Sequence, residues 1–255
     1  MLEIRQFPCL NDNYGFLIHD PETGQTAAID TPDGPEILKQ AEIAGWRISA
    51  IWNTHWHPDH TGGNAEIKAA TGCEIIGPTA EADRIPELDR AVTGGDKVAL
   101  GATAADVLDV GGHTLGHIAY HLPSDAIAFV GDSLFALGCG RLFEGTPEQM
   151  WASLLRLRAL PAETTLYCAH EYTQANARFA ETVDPENAAL RSYIGYIDAQ
   201  RTINQPTVPM LLSRERATNP FLRADDPALQ AAHGAPGDAV ATFAAIREMK
   251  DRFKG

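Results

Sequence analysis

The chain has 255 residues, enough for one large domain or two modest ones, and its 44% hydrophobic and 21% charged content is that of a globule and argues against disorder. A net charge of -14 opposes nucleic acid and anionic lipid at long range. No run approaches the roughly 20 apolar residues of a membrane helix, and the opening MLEIRQFPCLNDNYG lacks the apolar stretch of an export signal, so a cytoplasmic protein without nucleic-acid or membrane partners is expected.

The predicted elements alternate through the first two thirds. Strands are expected at residues 2–7, 15–19, 26–30, 48–52, 74–77, 104–110, 118–122, 126–130 and 165–168, bounded by turn signals such as DPETG and TPDG. Helices are expected at 35–44, with proline at its start and glycine past its end, at 64–71, and at 146–158, where TPEQ has the form of a capping box. Beyond about residue 172 the pattern turns helical. Leu190, Tyr193, Ile194 and Ile197 recur at helical spacing within 186–203, and Phe243, Ile246, Met249 and Phe253 form one stripe within 240–253. The stretch 205–235 holds four prolines and reads as irregular. We place a boundary here, with a mixed α/β domain at 1–172 and an α-helical domain at 173–255.

Charge follows the same division. Residues 1–170 hold 10 basic and 23 acidic side chains, whereas residues 171–255 hold 10 and 11, so an anionic ligand is expected near the C-terminal part. The four cysteines, Cys9, Cys73, Cys139 and Cys168, are scattered without CxxC spacing and read as buried or neutral thiols in a reducing compartment.

The most informative stretch is Thr54-His55-Trp56-His57-Pro58-Asp59-His60, directly after the apolar strand 48–52. His55 and His57, two apart, point the same way on an extended backbone, and Pro58 then lets the chain fold back. Imidazoles with a carboxylate suit zinc, iron or manganese. Three further loops each end a strand with a candidate ligand: His113 in GGHTLGH, Asp132 in VGDS and His170 in AHEY. Four ligands on one loop plus three elsewhere exceed one ion's needs, which points to two ions sharing a site. His117 begins the next strand and reads as a supporting residue, and Glu171 is left out of the ligand set.

At these residues the sequence resembles the metallo-β-lactamase superfamily, with its THxHxDH, GHTxGH, strand-ending GD and late AH. More narrowly it resembles the hydroxyacylglutathione hydrolases (glyoxalase II), through Asn11–Tyr14, Thr54–His60, Gly138–Gly145, Tyr167–Thr173, Asn219–Phe221 and Arg247–Lys254. The resemblance implies an α+β fold, a four-layer αββα metallo-β-lactamase-like sandwich with a smaller α-helical C-terminal domain. It implies one divalent ion on His55, His57 and His113 and another on Asp59, His60 and His170, with Asp132 bridging. Zinc is the expected metal, with iron and manganese as alternatives.

The implied activity is hydrolysis of an S-(2-hydroxyacyl)glutathione thioester, with S-D-lactoylglutathione the expected substrate, as the second step of methylglyoxal detoxification. Asp59 and Asp132 would hold and orient a hydroxide bridging the metals. Arg141, Tyr172, Arg247 and Lys250 match the positions that bind the glutathione part in the family. Many relatives carry lysine in place of Arg141 and tyrosine in place of Phe143, so a hydroxyl is missing at 143. A monomer is expected. Competing readings are a lactone or β-lactam hydrolase of the same superfamily, a single-iron persulfide dioxygenase, and a non-catalytic binder of glutathione conjugates.

Overall fold

The computed structural model describes residues 1–233 and 236–254; positions 234 and 235, the end of the stretch read as irregular, and 255 lie outside the described residues. By Cα proximity the chain divides into two compact units. The first holds Met1–Asp109 and Gly116–Gly131, the second Val110–Leu115 and Asp132–Gly255.

The first unit begins with strands β1 (Glu3–Cys9), β2 (Asn13–Asp20) and β3 (Gln25–Ile29). Helix α1 (Gly34–Ala44) leads to β4 (Ile48–Trp52). The one-turn α2 (Pro58–Thr61) and α3 (Asn64–Thr71) lead to β5 (Glu74–Pro78) and, after a 3₁₀ turn at Thr79–Arg84, to β6 (Arg90–Val92). These six strands lie side by side in chain order, antiparallel from β1 to β3 and parallel from β3 to β6. The strands β7 (Lys97–Leu100), β8 (Thr103–Asp109), β9 (Ile118–Leu122) and β10 (Ile127–Gly131) form an antiparallel run of the second sheet.

Three layers of this unit follow from the apolar pattern. Ile37 and Ala41 of α1 and Ile67 of α3 pack on Leu17, Ala28, Ile51 and Ile75 of the first sheet. On the sheet's other face Trp52 meets Tyr120 at 5.2 Å between ring centroids, and Phe16 meets Phe129 at 5.5 Å. Each such fully buried side chain contributes roughly 1.5–3 kcal/mol. As expected, α1 has proline in its first turn and Gly45 closes it in the left-handed conformation; Asp33 caps it by accepting the backbone N–H of Glu36.

The second unit carries the hairpin β11 (Leu134–Phe135) and β12 (Gly138–Cys139), α4 (Pro147–Arg158) and β13 (Thr165–Cys168). Then come α5 (Thr173–Val183), α6 (Ala188–Thr202), β14 (Met210–Leu211), α7 (Leu212–Thr218), α8 (Pro227–Ala232) and α9 (Ala239–Arg252). Thr146 caps α4 by accepting the N–H of Gln149, as TPEQ predicts. The stretch read as irregular instead contains α7, a 3₁₀ turn at Pro220–Leu222 and α8. Its prolines at 220 and 227 sit at helical first positions, where the missing N–H costs nothing. The four cysteines are free and buried. Among the described residues no helix is long and apolar enough to cross a membrane.

Candidate metal centre

In the first unit the end of β4 delivers the ligand candidates. His55 Nε2 lies 2.9 Å from His57 Nδ1, and His60 Nε2 lies 3.6 Å from Asp59 Oδ2. Candidate ligand atoms of His55 and His57, of His55 and His60, and of Asp59 and His60 fall within 4.8 Å of one another. Pro58 opens the single turn α2, so Asp59 and His60 follow His57 on a helical backbone, and the Asn53 side chain holds that turn by donating to the His60 carbonyl at 2.9 Å.

Two side chains outside the sequence motif orient these ligands. The carboxylate of Asp30, at the end of β3, accepts from the Thr54 N–H at 2.7 Å, from its hydroxyl at 2.8 Å and from His60 Nδ1 at 2.8 Å. With Nδ1 thus engaged, His60 offers Nε2 to a metal. Asn13, in the NDNY block, donates to Asp59 Oδ2 at 3.2 Å. His117 stacks on His55 with ring centroids 4.5 Å apart. Gly131 lets β10 come close: a Cβ there would fall 2.5 Å from Thr54 Oγ1 and 2.7 Å from His117.

The second unit gathers His113, Asp132 and His170 from three separate loops. Asp132 Oδ2 lies 3.4 Å from His113 Nε2, and its Oδ1 lies 3.4 Å from His170 Nε2. One carboxylate therefore faces two different imidazoles with its two oxygens. His113 Nδ1 sits 2.8 Å from the Arg141 carbonyl, so that nitrogen carries the proton and Nε2 is left as a donor to a metal. The GGH loop is tied by Ser133 to Val110 O at 2.8 Å and by Ser153 to Gly111 O at 2.6 Å. His170 stacks flat on Tyr172, with centroids 4.7 Å apart.

His113 and Asp132 adjoin a cavity of about 380 Å³ that is also lined by Arg141, Tyr172, Arg247 and Lys250, among others. Every residue assigned to glutathione binding from the sequence thus faces one space. Arg247 and Lys250 lie one turn apart on α9. Arg247 is buried and already committed, its guanidinium donating to Cys139 O at 3.0 Å and to Asp251 at 2.9 Å. Lys250 donates to Ala175 O at 3.1 Å; burial first, then the neighbouring Arg247 and Arg178, lower its pKa to about 8. Arg141 is exposed, with its Nε 3.6 Å from Asp251. Phe143 is exposed and meets His113 edge-on at 5.3 Å. Glu171 turns to Thr207, accepting from its N–H and its hydroxyl.

A model of the metallo-β-lactamase superfamily matches residues 20–170, and one described as the hydroxyacylglutathione hydrolase C-terminus matches residues 171–253. The hydroxyacylglutathione hydrolase of Erythrobacter litoralis is 65% identical over 254 residues, covering 99% of this chain and 100% of that one. That of Hyphomonas neptunium is 62% identical over 253 residues, 99% of each. The chain belongs to the hydroxyacylglutathione hydrolase family. For the hydroxyacylglutathione hydrolases the expected fold class holds: an α+β metallo-β-lactamase fold followed by a helical C-terminal region. Among solved structures, TTHA1623 in a di-iron-bound form is 28% identical with a TM-score of 0.57, over 66% of this chain and 91% of that one. The imidazole and carboxylate donors here are those of a divalent-metal site, as the hydroxyacylglutathione hydrolase family implies.

Proposed function

We propose that His55, His57, Asp59, His60, His113, Asp132 and His170 hold two divalent metal ions, zinc before iron or manganese, and that this centre serves thioester hydrolysis. As a member of its family the chain is a hydroxyacylglutathione hydrolase, splitting an S-(2-hydroxyacyl)glutathione into glutathione and a 2-hydroxy acid. The observation that carries the dinuclear reading is Asp132, whose two oxygens face separate imidazoles at equal distance, the disposition of a carboxylate shared between two cations.

The donor set fits such ions. Five imidazoles supply neutral nitrogens, those of His55, His60 and His113 engaged through Nδ1, and Asp59 and Asp132 offset part of the cationic charge that histidines leave uncompensated. When bound, two divalent ions supply a nucleophilic oxygen from water near neutral pH and polarise the thioester carbonyl. Asp59 and Asp132 orient the attacking oxygen. Arg141, Arg247 and Lys250 present positive charge to the carboxylates of glutathione, and Tyr172 offers its hydroxyl to the peptide. The leaving thiol, of ordinary pKa about 8.5, departs as thiolate without a dedicated acid. This is consistent with a site that contributes no serine or cysteine nucleophile.

In this reading residues 1–172 carry the metal chemistry together with the substrate contacts Arg141 and Tyr172, and 173–255 carry the substrate contacts Arg247 and Lys250, with S-D-lactoylglutathione as substrate. A monomeric cytoplasmic enzyme without nucleic-acid partners fits the acidic charge. The test is hydrolysis by the zinc-loaded protein of S-lactoylglutathione against a lactone and a β-lactam. A preference for the thioester supports the proposal; a preference for either ring substrate contradicts it.

A further inference from the structure

One buried carboxylate of the first unit lies outside the ligand set and outside every motif read from the sequence. Glu81, in the 3₁₀ turn after β5, is 2% exposed. Its Oε2 accepts the backbone N–H of Trp56 at 2.8 Å, and its Oε1 accepts the backbone N–H of Gly116 at 2.9 Å. Trp56 stands between the ligand candidates His55 and His57. Gly116 immediately precedes His117, which stacks on His55.

The sheet explains why this turn reaches that loop. Strands β4 and β5 are parallel neighbours, with Trp52 opposite Ile76. Both strands therefore end at the same edge, and the turn emerges beside the histidine loop. The grip is double: Arg84, from the same turn, stacks its guanidinium 3.4 Å above the Trp56 ring, and that ring packs edge-on against His57 at 4.6 Å. The approach is close enough to require glycine at 116, where a Cβ would fall 2.7 Å from Glu81 Cγ and 2.7 Å from Ala80 Cβ.

We propose that Glu81 is a positioning residue of the metal centre, its two oxygens clamping the backbone of the His55–His57 pair to the backbone that carries His117. The ligands are spaced by a main chain that this carboxylate holds from behind, as outer partners hold ligands in other metal sites. The proposal rests on the metal reading above but is tested separately from it. Glu81→Gln keeps the size and burial yet replaces one acceptor oxygen with an amide that faces a backbone donor. Arg84→Met, at an exposed position, removes the guanidinium stacked on Trp56.

The measurement is zinc affinity of the full chain by competition with a chromophoric chelator, beside the thermal midpoint of the metal-free protein. Wild-type affinity for zinc tests the metal reading alone. Given that, Glu81→Gln is expected to weaken zinc binding about tenfold or more, and Arg84→Met several-fold, each with a metal-free midpoint close to wild type. Zinc affinity within twofold of wild type in a folded Glu81→Gln overturns the proposal. Should that variant not fold, Glu81→Asp, whose shorter side chain cannot reach both N–H groups, is measured instead, and affinity within twofold of wild type overturns the proposal.

Discussion

The ligand candidates of the two units are held in opposite ways. In the first, four of them fall within six consecutive residues, and the neighbours that orient them, Asp30, Asn13 and Glu81, act largely on main chain or on single ring nitrogens. In the second, three candidates come from loops far apart in sequence, and one carboxylate, Asp132, stands between the other two. A cluster local in sequence is defined by its backbone; a dispersed one depends on a shared side chain. The two units should therefore respond differently to loss of a single carboxylate.

The largest effect is expected at that point. Asp132→Asn should lower kcat by more than the roughly 100-fold upper range of an outer-partner substitution and deplete bound metal. Asp59→Asn, at a half-exposed carboxylate, should cost less. Paired kcat values and elemental analysis check this, and the reverse order would break the comparison. Next come the cations of α9. Arg247→Ala and Lys250→Ala each remove a charge-assisted hydrogen bond of roughly 1.5–3 kcal/mol, so KM for the glutathione thioester should rise about 10–100-fold with kcat little changed. Lys250 is charged below its pKa of about 8 and loses that charge as pH rises through it. KM should climb above pH 8 in the wild type and stay flatter in Lys250→Arg.

A further effect, on stability rather than on catalysis, lies within the second unit. Burial raises the pKa of Glu215 from 4.5 to about 7 although it accepts the Leu137 N–H. The folded state thus binds a proton that the unfolded state releases first. The resulting stability is present below pH 4.5 and is lost as pH rises through 7, an effect on the order of 3 kcal/mol. Glu215→Gln should flatten the dependence of unfolding free energy between pH 5 and 8. A slope unchanged from wild type would remove Glu215 from the account.

How much of this was legible before the structure follows from locality. The strands β1 to β5, β8 to β10 and β13 and the helices α1, α3, α4, α6 and α9 announced themselves by apolar period, turn signals and caps. The strands β6 and β7, three and four residues long, carry too little pattern to read. Helix α5 buries Ala177 and Ala180 along with Phe179 and Val183, and small side chains give a faint stripe. Seven ligand candidates could be named because histidines and aspartates at strand ends are chemically conspicuous. Asp30 and Glu81 could not, since an isolated acidic residue has no local signature and its partners lie more than 20 residues away. Nor could the sequence tell that Arg247 is already engaged by Cys139 O and Asp251.

The central claim is that two cations share the carboxylate of Asp132. The most direct test is elemental analysis of the purified chain, titrated with zinc while hydrolysis of S-lactoylglutathione is followed. Activity that reaches its plateau at two ions per chain in the wild type, and a stoichiometry that falls below two in Asp132→Ala, is the expected result. Full activity at one ion per chain, or an Asp132→Ala variant that still binds two, would contradict it.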